Sequence, residues 1–401
     1  MGRDSSFWTT GLTHFFAFRQ NAMPRLRRTL LAGAILAPLV AACNRAGRSA
    51  ASSAVTSSEP ILLGTAGPWT EGYGQMNKRG MDLAVADINA AGGVNGRPLQ
   101  LVSRDDGGSA VKATAIAEEF VGDRNIVAVV GHVNSGAMVA AARVYDGHLA
   151  AVATTATAPD LTGISPWVFR VISSDSTNGM DLARFANRQL GRKRAAILYE
   201  NNPYGRGLTE SFRRNFQGEI DSVDPISDDG KNVEPFVAYF KAKKPDVVFV
   251  AGTDGSGMAL LREARSQGLD TDFLGGDGWT GVVRDTDASE GVYVGAPFSA
   301  EDQRPEAQRF VTAFREKYHV TPDGNAAMAY DATMLVARAI AERGTDRAAV
   351  REYLATLADR GGYAGVTGAV RFQPNGDPLG RGFVMTRVHR GALLVATTEG
   401  R

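Results

Sequence analysis

From Ile61 onward the chain repeats one unit: a short apolar run, a turn rich in Gly or Asp, then a longer stretch whose apolar residues recur at helical spacing. Ile61 to Ala66 is strand-like, and Met81, Ala84, Val85 and Ile88 then stand at i, i+3, i+4 and i+7, which is one face of a helix. The segment Ala91-Gly92-Gly93-Val94-Asn95-Gly96 stops that helix and turns the chain. Leu99 to Ser103 predicts a second strand, and Val111 to Val121 a helix burying Ile116 and Phe120. Parallel strands need crossovers of this length, so the alternation predicts the α/β class with doubly wound sheets. A chain of 401 residues exceeds what one hydrophobic core serves, which predicts two lobes.

The second half follows the same grammar. Ala195 to Tyr199 predicts a strand, Gly205 to Gln217 a helix, and Asp246 to Ala251 a further strand; between them Val233, Phe236, Val237 and Phe240 form another helical face. Short strands are expected at Phe273 to Gly276 and Val292 to Val294, then helices over Glu306–Tyr318, Ala326–Arg343 and Arg347–Ala358. Gly368–Arg371 and Gly382–Val388, flanking Pro374-Asn375-Gly376, predict a β-hairpin.

One stretch points to a binding site. Ile126 to Pro159 holds a buried-strand run (Ile126 to Val130), a glycine turn, a small-residue helix opening near Ser135, a second apolar run (Leu149 to Ala153), and an exit carrying Thr154, Thr155 and Thr157. Two neighbouring strand ends would present hydroxyls and free amides to one spot. Such a spot suits a carboxylate or another small anion, because a helix start leaves four N–H donors unpaired and carries partial positive charge.

The 44 basic and 43 acidic side chains leave a net charge of +1, which gives no footprint for nucleic acid. The single cysteine, Cys43, permits no intrachain disulfide and no cysteine metal cluster. Its setting is informative. From Met23 the chain reads as a basic segment (Arg25, Arg27, Arg28), an apolar run from Leu30 to Val40 too short to span a membrane, and Val40-Ala41-Ala42-Cys43, which resembles a bacterial lipobox. Residues 1–43 are therefore expected to be a leader and lipoprotein signal with translation starting at Met23, and Cys43 the lipidated mature N-terminus in the periplasm or at the cell surface. The Ser- and Ala-rich residues 44–59 read as a flexible tether.

The ordered set ADINAAGGVNGRPLQLVSRDD (Ala86 to Asp106), VVGHVNSG (Val129 to Gly136), TATAPDLT (Thr155 to Thr162), YENNPYGRG (Tyr199 to Gly207), FLGGDGW (Phe273 to Trp279) and AYDA (Ala329 to Ala332) resembles the solute-binding proteins of branched-chain amino acid ABC transporters. The resemblance implies a type I periplasmic binding fold: two lobes joined by three crossover strands, with ligand in the cleft between them. It places lobe 1 at 60–172 plus 298–362 and lobe 2 at 173–297 plus 363–401. It implies that Ser135, Thr155 and Thr157 hold a ligand carboxylate, that Tyr204 lies across the cleft, and that Asp277 pairs with a ligand ammonium. Here aspartate stands where the leucine-binding members carry glutamate. Tyr73 is one residue displaced from the family's first-lobe tyrosine and could wall the pocket, with Trp69 and Trp279 as further aromatic candidates. Thr253 and Asn325 replace family aromatics, which leaves room for a more polar ligand. The implied partners are a small amino acid or related zwitterion, an ABC permease, and the membrane through the lipid anchor; a monomer without cofactor is expected.

An enzyme is the main rival class. Gly252 to Gly257 has neither the GxGxxG spacing nor a Walker lysine, no GxSxG or HExxH is present, and the five histidines lack metal-ligand spacing. His132 beside the proposed site reads as a loop residue shaping the turn, and Asp105-Asp106 as a turn-capping pair. A ligand-sensing receptor on the same fold, uncoupled from transport, remains the alternative; a hydrolase is the remote one.

Overall fold

The computed structural model describes residues 59–227 and 230–396. The signal segment, Cys43 and all but the last residue of the tether lie outside them. Among the described residues no helix is long and apolar enough to cross a membrane.

The first half builds β1 (Ile61–Gly67), α1 (Gly72–Ala90), β2 (Leu99–Asp105), α2 (Ala110–Gly122), β3 (Ile126–Gly131), α3 (Ser135–Tyr145), β4 (Ala151–Ala153) and β5 (Val168–Arg170). These strands form one parallel sheet in the order β2-β1-β3-β4-β5. Helices cover both faces, which is why every residue of β3 is buried and the strand reads as a continuous apolar run.

The chain then forms α4 (Asp175–Arg184), β6 (Arg194–Glu200), α5 (Pro203–Asn215), β7 (Glu219–Ile226), α6 (Glu234–Lys243), β8 (Val247–Ala251), α7 (Asp254–Ser266), β9 (Asp272–Gly275), a 3₁₀ segment (Asp277–Arg284), α8 (Thr286–Ser289) and β10 (Tyr293–Ala296). It returns to the first sheet with α9 (Pro305–Tyr318), α10 (Gly324–Arg343) and α11 (Arg347–Ala355), makes a two-stranded ribbon from β11 (Tyr363–Gly365) and β12 (Gly368–Val370), and ends in β13 (Val384–His389) and β14 (Ala392–Val395). The second sheet has the order β14-β13-β10-β9-β8-β6-β7, and β13 alone is reversed, running antiparallel to both of its neighbours.

Separate cores follow the two sheets. Met81, Leu335 and Leu354 join one face of the first sheet, and Phe120, Met138 and Tyr145 the other. Phe240, Leu261 and Trp279 cover one face of the second sheet; Leu182, Phe212 and Phe249 cover the other. Gly80 lets α1 and α10 approach closely, since a Cβ there would lie 2.1 Å from the Ala326 carbonyl oxygen. That approach sets Asn77 of α1 beside Asn325 of α10.

The C-terminal part departs from the sequence reading in two ways. Gly368–Arg371 and Gly382–Val388 do not pair with each other. Instead β12 pairs with β11 across Val366-Thr367, closed by Gly368 at φ +106°, while β13 pairs with β10 and β14. The physical reason is that the Asn375-Gly376 turn is captured elsewhere: the Gly376 carbonyl accepts from the Arg170 amide at 3.1 Å, and the Asn375 carbonyl from the Gly163 amide at 2.9 Å. Furthermore, Tyr363, Val370 and Phe372 pack into the first sheet's core, although the expected division placed everything after Gly362 in the second lobe.

Candidate functional site

A cavity of about 100 Å³ lies where the carboxyl ends of both sheets face each other. Its walls come from the turns after β1 (Tyr73), β3 (Val133 to Gly136), β4 (Thr155), β6 (Asn202, Tyr204), β8 (Thr253) and β9 (Asp277, Gly278), with Gly108 and Asn325 completing it. Open α/β sheets place ligands at such strand ends.

The first-sheet wall is built for an acceptor. Ser135 is the first residue of α3, whose N-cap, Asn134, makes no side-chain cap bond and whose first turn holds no acid. The Ser135 Oγ accepts from the amides of Thr157 and Ala158 at 3.1 Å each, so both its lone pairs are used and its proton is left to donate. Of the other helix starts around the cavity, Asp323 and Asn202 cap α10 and α5 and Asp254 sits in the first turn of α7, while α1 has Glu71 at its N-cap with no side-chain cap bond. The start of α3 has neither a side-chain cap bond nor an acid at its N-cap or in its first turn, so its positive end is open to the cavity.

The facing wall carries the charge. Tyr204 Oη donates to Asp277 Oδ1 at 3.0 Å and accepts from the Gly278 amide at 3.1 Å. Burial pushes the Asp277 carboxyl up to about 6, against the opposing pull of the bonds from Tyr204 and from the amides of Asp277 and Gly278. Asp175, wholly buried nearby, is raised well above the usual carboxylate range, first by burial and then by the charge of Asp277. An open helix start therefore faces a buried acid across the cavity.

The sequence of residues 60–392 matches the family model described as "Periplasmic binding protein". The chain belongs to the periplasmic binding protein family. It is 29% identical over 347 residues, 83% of this chain and 91% of its relative, to the leucine-, isoleucine-, valine-, threonine- and alanine-binding protein of Pseudomonas aeruginosa. Among solved structures it is similar to the ABC transporter substrate-binding protein of Desulfitobacterium hafniense in complex with Leu (33% identity, TM-score 0.73, 84% of this chain and 100% of that one). It is also similar to the substrate-binding protein LivJ of Streptococcus pneumoniae in complex with isoleucine (26% identity, TM-score 0.78, 83% and 97% coverage). The family is one of binding proteins, and its type I fold is the one described above.

Of the residues that the sequence nominates, Tyr73, Ser135, Thr155, Tyr204 and Asp277 line the cavity together. Thr157 is not in its wall. The Thr157 hydroxyl donates to Asp175 Oδ2 at 2.9 Å, and its backbone is held between the Ser135 Oγ and the Arg170 guanidinium, whose Nη1 donates to the Thr157 and Ala158 carbonyls at 2.9 Å each. Thr253 and Asn325, read as departures from the family, both face the cavity. Trp279 is fully buried in the second core and Trp69 packs against the first, so neither walls the pocket.

His132 is fully buried, with Nδ1 at 2.6 Å from Asp106 Oδ2 and Nε2 at 3.0 Å from Tyr145 Oη, so both ring nitrogens are engaged away from the cavity. Asp106 also accepts from the Gly108 amide at 2.7 Å, and the network thereby fixes two loops of the site. The sequence reading missed Asn134, Asn202 and Arg170. The first two stand inside the phrases VVGHVNSG and YENNPYGRG and were available from them; Arg170, a lone basic residue ending a buried strand, carries no signal of its own. Among the described residues no group of His, Cys, Asp and Glu is arranged to hold a metal ion.

Proposed function

We propose that this protein is the extracytoplasmic solute receptor of an ABC importer, taking a small α-amino acid into the cavity. The ligand carboxylate meets the Ser135 hydroxyl, Thr155 and the open amides of α3, and the ammonium meets Asp277 beside Tyr204. The observation that carries this reading is the Ser135 Oγ, whose lone pairs are both occupied by backbone amides, opposite a buried carboxylate. Charge-assisted bonds of these kinds contribute about 1.5–3 kcal/mol each, enough to select for both ends of the ligand. The Pseudomonas aeruginosa relative is named for aliphatic amino acids together with threonine and alanine, which supports the amino-acid head group.

The rest of the assignment follows from the lobed fold. The lobes close about the three connections between them, the ligand is delivered to a permease, and lipidated Cys43 tethers the protein to the membrane. Isothermal titration calorimetry with an amino acid, its decarboxylated amine and its deaminated acid tests the core claim. Both truncated ligands are expected to bind at least about tenfold more weakly. An amine or an acid that binds as tightly as the parent amino acid would refute the two-ended head-group site.

A further inference from the structure

The part of the cavity wall made by Tyr73 and Asn134 has a chemistry of its own. Asn134 Nδ2 donates to Tyr73 Oη at 2.9 Å, while Asn134 Oδ1 is shielded from water and has no partner among the described residues. On the opposite wall Glu200 already engages most of the donors. Thr253 gives both its amide and its hydroxyl to Glu200 Oε1 at 2.7 Å each, and Asn202 Nδ2 goes to Glu200 Oε2 at 3.2 Å. Left over are the buried acceptor on Asn134, the second N–H of each asparagine side chain, and one proton on Tyr73, since that hydroxyl accepts from Asn134 and donates to no group described. Val133 is the sole aliphatic side chain in the lining.

A buried acceptor left without a donor is costly, whereas the same acceptor matched by a ligand group contributes to binding. The cavity is small, about 100 Å³, and its lining is mostly polar or glycine. We infer that the ligand's side chain is short and carries a hydroxyl or a carboxamide, which donates to Asn134 Oδ1 and accepts from Tyr73 Oη. An aliphatic side chain would strand both groups. Sites built to hydrogen-bond a hydroxyl discriminate strongly against the isostere that lacks it.

This inference rests on the amino-acid reading above, and near-isosteric pairs separate the two. Calorimetry on the purified protein compares L-threonine with L-valine and L-asparagine with L-leucine. At least one polar member is expected to bind about tenfold or more tightly than its partner, and Asn134→Leu to bring that ratio to about twofold or invert it. Should Asn134→Leu fail to fold, Tyr73→Phe, which keeps the ring, is expected to narrow the ratio in the same way. Valine and leucine binding as tightly as threonine and asparagine would overturn the inference and leave the head-group site standing. No binding by any α-amino acid would overturn both.

Discussion

Replacing Asp277 by asparagine keeps the shape of the side chain and removes its charge, and the structure gives the two consequences opposite signs. Burial raises the carboxyl from 3.8 to about 6, which corresponds to about 3 kcal/mol against ionisation. That cost is borne by the folded protein before any ligand arrives. A ligand ammonium therefore gains the charge-assisted bond without having to desolvate the acid, and losing it should weaken binding by about 1.5–3 kcal/mol, roughly 10- to 150-fold. Stability moves the other way. The folded state binds the proton more tightly than the unfolded chain, so the wild type loses stability as pH rises from the unfolded value of about 3.8 to about 6, and the loss is complete above that. Asp277→Asn should therefore melt at a higher temperature than the ligand-free wild type at pH 7 and match it near pH 4. Wild-type affinity should fall below pH 6 as the carboxylate protonates, a dependence the variant lacks. Calorimetric titration and differential scanning calorimetry across pH 4–8 check both. A variant that binds normally, or one that loses affinity and stability together, would refute the assignment of Asp277 as the ammonium partner.

Other substitutions probe the remaining walls. Ser135→Ala removes the outward donor and strands the amides of Thr157 and Ala158; it should cost at least about tenfold in affinity and about 1–3 kcal/mol in stability, read by titration and denaturant unfolding. Thr157→Val should cost stability through Asp175 but leave affinity within about threefold, because its hydroxyl faces that acid and not the cavity. Gly278→Ala sets a Cβ 2.5 Å from the Gly252 carbonyl and 3.0 Å from Tyr204 Oη, so it should displace the Tyr204–Asp277 pair and lower affinity in the same titration. Cys43→Ser should release the protein from membranes on fractionation.

The sequence carries the alternation of strands and helices, and with it the parallel sheets, because buried strands and amphipathic helices leave local patterns. It also carries most of the cavity wall, since Ser135, Thr155, Tyr204 and Asp277 stand in turns directly after recognisable strands. Contacts between distant segments left no such pattern. The Asn375-Gly376 turn reads as a hairpin tip, but Arg170 Nε donates to Asp377 Oδ1 at 2.7 Å, over 207 positions of sequence separation, and ties the turn to β5. Thr157 misleads for the same reason. Its spacing from Thr155 suits a shared cleft face, yet Asp175, eighteen positions on, takes its hydroxyl. Neither capture follows from periodicity or turn composition.

The contacts that join the two walls explain how such a receptor can depend on its ligand. Across the cavity the lobes meet through Asn325 Nδ2 donating to Thr280 Oγ1 at 3.1 Å, through Arg284 seated against Gly72, and through Gly136 near Pro203. These are polar or small-residue contacts. The large aromatic side chains are spent inside the separate cores. Neutral polar bonds of this sort replace bonds to water at little net gain, so closure has little driving force without ligand. A ligand bridging Ser135 and Asp277 supplies what the walls lack, since it bonds to both only when they face each other, and differential affinity of that kind is what shifts a two-state equilibrium. The sparse interface is therefore itself a requirement: a larger apolar contact between the lobes would close the cleft on nothing.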